Sequence, residues 1–289
     1  MKKTPHASLS GLDDVIAGET AICSVSDDST GLMYRGYDIH ELTEKTSFEE
    51  VAYLLIYGEL PTSTEFQLFQ TSLQRGQGLS NRICTILEQL PKTTHPMDVL
   101  RTAVSALGAI EPELNRKETP QIASRLMPFC VSVLLYWYHF HLSGKKIVVK
   151  TGQKSLAGHF LNLLSHKPPV PLSNQALNVS LILYAEHEFN ASTFAARVCT
   201  STDSDFYSGI VAAIGTLRGP LHGGANEAAM ELINRFHTPP EAEKGIREAL
   251  ANKELIMGFG HRVYKNGDPR TPIIKALAKK LHSQKTRCR

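Results

Sequence analysis

Residues 219–230 read GPLHGGANEAAM and residues 257–270 read MGFGHRVYKNGDPR, with an ordinary helical stretch between them. Each segment sets a histidine among glycines, His222 in the first and His261 in the second. Glycine lets the backbone turn tightly and come close to a ligand because no Cβ intervenes. Imidazole exchanges a proton near neutral pH, so the two rings form a candidate acid/base or electrophilic pair. A single Gly-His turn is more often a capped loop, and the functional reading draws its force from the surrounding sequence.

Together the two segments resemble the signature stretches of the citrate synthase family, and AEHEFNAST at residues 185–193 is similar to a third; all three occur in the family's order. The stretch AGETAICSVSDDSTGLMYRGYDI at residues 17–39, followed by FEEVAYLLIYGELPT at 48–62, most resembles the 2-methylcitrate synthase branch. The resemblance runs from Gly11 to about Leu281. It implies an all-α fold: a large helical domain over 1–221 and an incomplete small helical domain over 222–289. It also implies condensation of an acyl-CoA, propionyl-CoA or acetyl-CoA, with oxaloacetate.

Composition is consistent with a globular chain: 289 residues with 42% hydrophobic content can build a sizeable core. The net charge is +3, yet the last fifteen residues hold six cations and no acid, so the body is net negative. Such a balance offers no basic face for nucleic acid. Five widely spaced cysteines lack any C-x-x-C pair or ligand spacing with histidine, so free thiols and no metal site are expected. The opening MKKTPHASLSG has no apolar signal core, which points to the cytoplasm. Residues 126–142, LMPFCVSVLLYWYHFHL, are short for a membrane span and carry Pro128, His139 and His141, so a buried central helix is the better reading.

Along the chain, a disordered start precedes a short hairpin near Leu32–Tyr34, and no sheet of more than two strands is expected. Ser47 and Glu50 form a capping box that opens a helix with Phe48, Val51, Leu54 and Leu55 on one face, stopped by Gly58 and Pro61. Helical spacing then recurs over 62–73, 99–107, 122–142, 156–164, 174–185, 193–199, 206–217, 225–236 and 241–252. Lys145 and Lys154 sit in a polar loop where a ligand contact competes with plain solvation. After Leu281 the pattern dissolves into the basic, non-periodic HSQKTRCR.

The implied reaction removes a proton from the carbon beside a thioester, which calls for a base and for a donor aimed at the carbonyl oxygen. By the resemblance, His222 is that donor and His261 polarises the ketone of oxaloacetate. His187 and Arg270 match the ligands of the oxaloacetate carboxylates; a guanidinium forks onto a carboxylate with two parallel bonds, and the competing reading for Arg270 is a surface ion pair with Asp268. Leu255, Ile256, Met257, Gly258 and Phe259 match backbone that lies along the CoA adenine. No resident cofactor is implied; acyl-CoA is a substrate, and a homodimer is expected because residues 122–142 and 206–217 are so apolar. In the family pattern the catalytic aspartate and two further arginines lie beyond the matched stretch, and Asp203 and Asp205 look like helix-start residues. Turnover by this chain is therefore expected to be weak or absent. The alternatives are a non-catalytic remnant that binds oxaloacetate or CoA, or only dimerises, and a helical scaffold without a ligand.

Overall fold

In the computed structural model, residues 16–26, 31–260, 264 and 267–287 are described; the expected disordered start, Cys288 and His261 lie outside them. Thirteen α-helices and one small antiparallel sheet make up the described part, so the fold is all-α as expected. The sheet has three strands, β1 (Cys23–Val25), β2 (Leu32–Tyr34) and β3 (Tyr37–Asp38), in the order β1-β2-β3. This corrects the expectation of at most two. The third strand arises because Arg35 and Gly36 both take positive φ, 50° and 87°, so that Tyr34 pairs with Tyr37 across a two-residue turn. An Arg-Gly pair is a weaker turn signal than Asn-Gly, and a two-residue strand has no period to read.

α1 (Ile39–Lys45) follows directly, capped by Asp38. α2 (Phe48–Tyr57) carries the anticipated capping box, and α3 (Ser63–Arg75) repeats it through Thr62 and Glu65. α4 (Asn81–Gln89) and α5 (Pro96–Ile110) form a pair that lies on α6 (Thr119–Ser143). α6 is the central helix. Its buried side chains include Leu126, Phe129, Val133, Tyr136 and Trp137, and they share one core with Ile83, Leu87, Val99 and Val104. Pro128 is accommodated inside this helix. No helix among the described residues is long and apolar enough to cross a membrane.

α7 (Leu156–Ser165) and α8 (Pro171–Tyr184) complete the first half. The second core joins β2, α1, α2 and α8 through Leu32, Tyr34, Ile39, Leu54, Val179 and Ile182. α9 (Ala191–Ser201) and α10 (Phe206–Leu217) pack against each other and α10 against α5. α11 (Gly224–Asn234) and α12 (Pro239–Ala251) bury no side chain.

The last element, α13 (Arg270–Arg287), corrects the reading of a dissolving C-terminus. It packs on α8, with Leu277 buried in the second core, and stays helical through the basic residues. Lys, Gln and Arg are good helix formers and need no apolar period to continue a helix once it is nucleated.

Candidate active site

Three segment ends converge on one cavity of about 940 Å³. The end of α8 brings His187, the turn between α10 and α11 brings His222, and the start of α13 brings Arg270; Leu255 to Phe259 form a further wall. Every described residue that the sequence singled out as a site residue thus lines the same space. Lys145 does not; Lys154 lies at a separate polar cavity of about 740 Å³.

His222 is placed by a backbone crossing that only glycine permits. Gly223 donates to the carbonyl of Leu217 at 3.0 Å, and a Cβ on it would meet that same oxygen at 2.3 Å. α10 therefore folds back onto the turn, and α11 starts at once behind the histidine. His222 Nε2 lies 2.8 Å from Ser192 Oγ, which is also 2.8 Å from the Asn190 Oδ1 that caps α9. One hydroxyl proton serves two acceptors. When it points to Asn190, Nε2–H of the ring donates to Oγ; when it points to the ring, Nδ1 carries the proton instead. Rotation of the Ser192 hydroxyl thus selects which nitrogen is the donor. Among the described residues, Nδ1 has no hydrogen-bond partner. Ser192 was not legible as a site residue, because N-A-S-T reads as a helix cap and nothing more.

On the opposite wall, His187 Nε2 is 3.2 Å from Tyr264 Oη, with the rings edge to face. Burial pushes the Tyr264 phenol up to about 12, against the pull of Arg270, so the hydroxyl keeps its proton. Arg270 forms the ion pair that competed with its functional reading: Nε is 2.9 Å from Asp268 Oδ1 and Nη2 is 2.6 Å from Oδ2. Burial opposes the Arg270 charge, but Asp268 more than offsets it and holds the group above its ordinary value. The pair occupies the Nε edge of the fork. Nη1 has no hydrogen-bond partner among the described residues, so the ion pair and a ligand contact are compatible.

Among the described residues two carboxylates also line the cavity, and both are engaged. Glu188 Oε1 accepts from Val25 N at 2.8 Å, and Asp268 holds Arg270. Asp205 caps α10 and Asp203 pairs with Arg116, as helix-start residues do; neither lines the cavity. No group of three or more His, Cys, Asp or Glu suited to a metal ion occurs among the described residues.

A family profile described as citrate synthase, C-terminal domain, matches residues 11–288. A 2-methylcitrate synthase of Shewanella oneidensis is 50% identical over 280 residues, covering 97% of this chain and 74% of that protein. A citrate synthase of Mycolicibacterium smegmatis is 41% identical over 273 residues, covering 94% and 72%. Among solved structures, the citrate synthase of the thermophilic archaeon Thermoplasma acidophilum, in ternary complex with carboxymethyl coenzyme A and oxaloacetate, superposes with a TM-score of 0.87. Its identity is 34%, over 96% of this chain and 74% of that one. By profile, by identity and by fold, the chain belongs to the citrate synthase family.

Proposed function

We propose that this cavity is built to bind propionyl-CoA and oxaloacetate for condensation to 2-methylcitrate and free CoA, with turnover by this chain weak or absent because neither described carboxylate lining it is poised as the base. A base takes the α-proton of the thioester, the enolate carbon attacks the ketone carbon of oxaloacetate, and water adds to the acyl carbon and expels the CoA thiol. His222 donates to the thioester oxygen as negative charge builds on it, while His187 and Arg270 hold the oxaloacetate carboxylates. His261 takes the ketone on the strength of its motif alone. The turn at 255–259 runs beside the CoA adenine. The single observation that carries the reading is that His222, fixed by Ser192, shares one cavity with His187 and Arg270. Preference for propionyl-CoA is supported by the name of the 50% identical relative, against 41% for one named citrate synthase.

The proposal includes a homodimer and a domain boundary near residue 221. α9 buries no side chain and α10 only Tyr207 and Gly209, although α10 is strongly apolar, so this hairpin is the surface suited to a second copy. α6 does not contribute, being committed to its own core.

One observation favours a second reading, a protein that binds oxaloacetate without turning it over. Both carboxylates lining the cavity are engaged elsewhere, and neither is poised as the base. The test is calorimetry with oxaloacetate, followed by propionyl-CoA or acetyl-CoA, alongside a thiol-release assay. Oxaloacetate binding and a tighter propionyl-CoA complex are expected, with thiol release near background. Absence of oxaloacetate heat overturns the function, tighter acetyl-CoA binding overturns the acyl assignment, and robust thiol release discards the second reading.

A further inference from the structure

The residues that follow α8 contain nothing that stops a helix. Ala185, Glu186, His187 and Glu188 are neither glycine nor proline, and the chain leaves the helix at Tyr184 all the same. What ends it comes from the sheet. Ala185 N still reaches the carbonyl of Ile182 at 3.2 Å. The next amide, Glu186 N, would bond that same carbonyl in a continuing helix. Instead Tyr34 Oη stands between them: it accepts from Glu186 N at 3.3 Å and lies 3.0 Å from Ile182 O, within donating distance. The carbonyl of Glu186 is also 3.1 Å from this hydroxyl. A side-chain oxygen inserted into the backbone ladder is a recognised cause of helix breaking.

Tyr34 is fitted for this. It is fully buried at the end of β2, among Ile39, Leu54 and Ile182, and its ring has no room to swing away. The same sheet makes a second attachment to the turn, from Val25 N to Glu188 Oε1 at 2.8 Å. Glu188 takes φ of 52°, a left-handed conformation that a helix would not contain. Phe189 is held beyond it, under the Arg197 guanidinium at 4.6 Å and against Gly18. His187 is the residue between these fixed points. Were α8 to run on, each added residue would turn by about 100° and rise by about 1.5 Å. His187 would then leave its place beside Tyr264.

We propose that Tyr34 is a positioning residue: its hydroxyl ends α8 by bridging Glu186 N and Ile182 O, and so aims His187 into the cavity. The identity of the ligand that His187 meets rests on the function proposed above; the aiming of the ring does not. Tyr34 does not line the cavity, and its effect reaches the site through the backbone of residues 185–188.

Tyr34→Phe deletes the bridging oxygen and leaves the ring. The His187 imidazole signals of the unliganded 289-residue protein, assigned with His187→Gln, are expected to shift or split, while those of His222 stay. Amide exchange at Glu186 is expected to slow as the helix extends. Oxaloacetate affinity, read by calorimetry, is expected to fall at least about tenfold, the scale of losing one well-placed charge-assisted bond. Adding Ala185→Gly, which disfavours helix continuation, is expected to restore part of that affinity, a rescue that a merely structural loss would not show. Unchanged His187 signals overturn the inference. So does a shifted ring with unchanged oxaloacetate affinity, or a fall in thermal stability alone. If the wild type binds no oxaloacetate, the proposed function fails, and the ring signals still decide the role of Tyr34 by themselves. Should Tyr34→Phe not fold, the wild-type protein decides: a Tyr34 hydroxyl proton and a Glu186 amide slowed in exchange support the bridge, and exchange of both at the unbonded rate overturns it.

Discussion

Replacing Arg270 by alanine tests the carboxylate side of the site most directly. In the folded protein the guanidinium is shared: Asp268 takes Nε and Nη2, and the Nη1 edge is left toward the cavity. A charge-assisted hydrogen bond contributes about 1.5–3 kcal/mol, so Arg270→Ala is expected to weaken oxaloacetate about 10- to 150-fold. A second term adds to this. The side chain of Asp268 is 22% exposed, and Arg270→Ala takes away the guanidinium paired with it, so its negative charge acts more strongly on a dianion. The double variant Arg270→Ala with Asp268→Asn removes that repulsion and is therefore expected to bind oxaloacetate more tightly than Arg270→Ala alone. Calorimetric titration of the three proteins at fixed salt is the assay. Equal affinities for wild type and Arg270→Ala would remove Arg270 from the binding site. A double variant weaker than the single one would refute the electrostatic account of Asp268.

Ser192→Ala removes the hydroxyl that faces His222 and is expected to weaken acyl-CoA binding by about 0.5–1.5 kcal/mol in the presence of oxaloacetate, with oxaloacetate affinity unchanged; titration of the binary complex reads both. Gly223→Ala drives a Cβ into the Leu217 carbonyl and is expected to destabilise the fold by about 1–3 kcal/mol, as overpacking does, and to abolish acyl-CoA binding first; thermal melting with and without ligand separates the two. Glu49 is buried at 1% exposure and accepts from Leu156 N at 2.7 Å; burial raises its carboxyl above the ordinary value despite that bond. A raised folded value means that stability is fully present below the unfolded value and is lost as pH rises through the folded one. Glu49→Gln, which keeps an acceptor and removes the charge, is thus expected to raise the melting temperature at neutral pH, with the gain fading as pH falls through the raised folded value and gone below about pH 4.5. Glu49→Ala also strands Leu156 N and is expected to melt about 2–6 °C below Glu49→Gln at any pH. Light scattering is expected to give a dimer that Val198→Asp, on the exposed face of α9, dissociates; a monodisperse wild-type monomer would exclude the α9–α10 interface.

Local chemistry made much of this fold legible. The Ser47 cap sits where hydroxyl and carboxylate spacing put it, and the apolar period over 122–142 marks the central helix. What escaped has physical reasons. α4 carries Ile83, Ile86 and Leu87 at helical spacing but is only nine residues long, and the basic end of α13 has no apolar period. β3 is two residues long. The site divides in the same way. His187, His222 and Arg270 were legible because motifs carry them, whereas the groups that orient them were not. Ser192 reads as a helix cap and Tyr34 as a core aromatic, and each acts on a residue distant in sequence; the Asp268 pair, two residues from Arg270, was the one orienting contact that local spacing offered.

The two sides of the cavity also differ in how firmly they are built. His187 follows the end of α8 and Arg270 opens α13, and these helices pack together over a core that contains Tyr34, Leu54, Ile182 and Leu277. The spacing of the two groups assigned to the oxaloacetate carboxylates is therefore fixed by buried apolar contacts, which resist small displacements. His222 stands between α10 and α11, and the elements around it bury almost nothing of their own. Its position depends on the Gly223 crossing and the Ser192 bond rather than on a core. Such an arrangement suits an order in which oxaloacetate meets a preformed surface and the acyl-CoA side is completed afterwards, because ordering a loosely packed wall costs less once one ligand already occupies the opposite face.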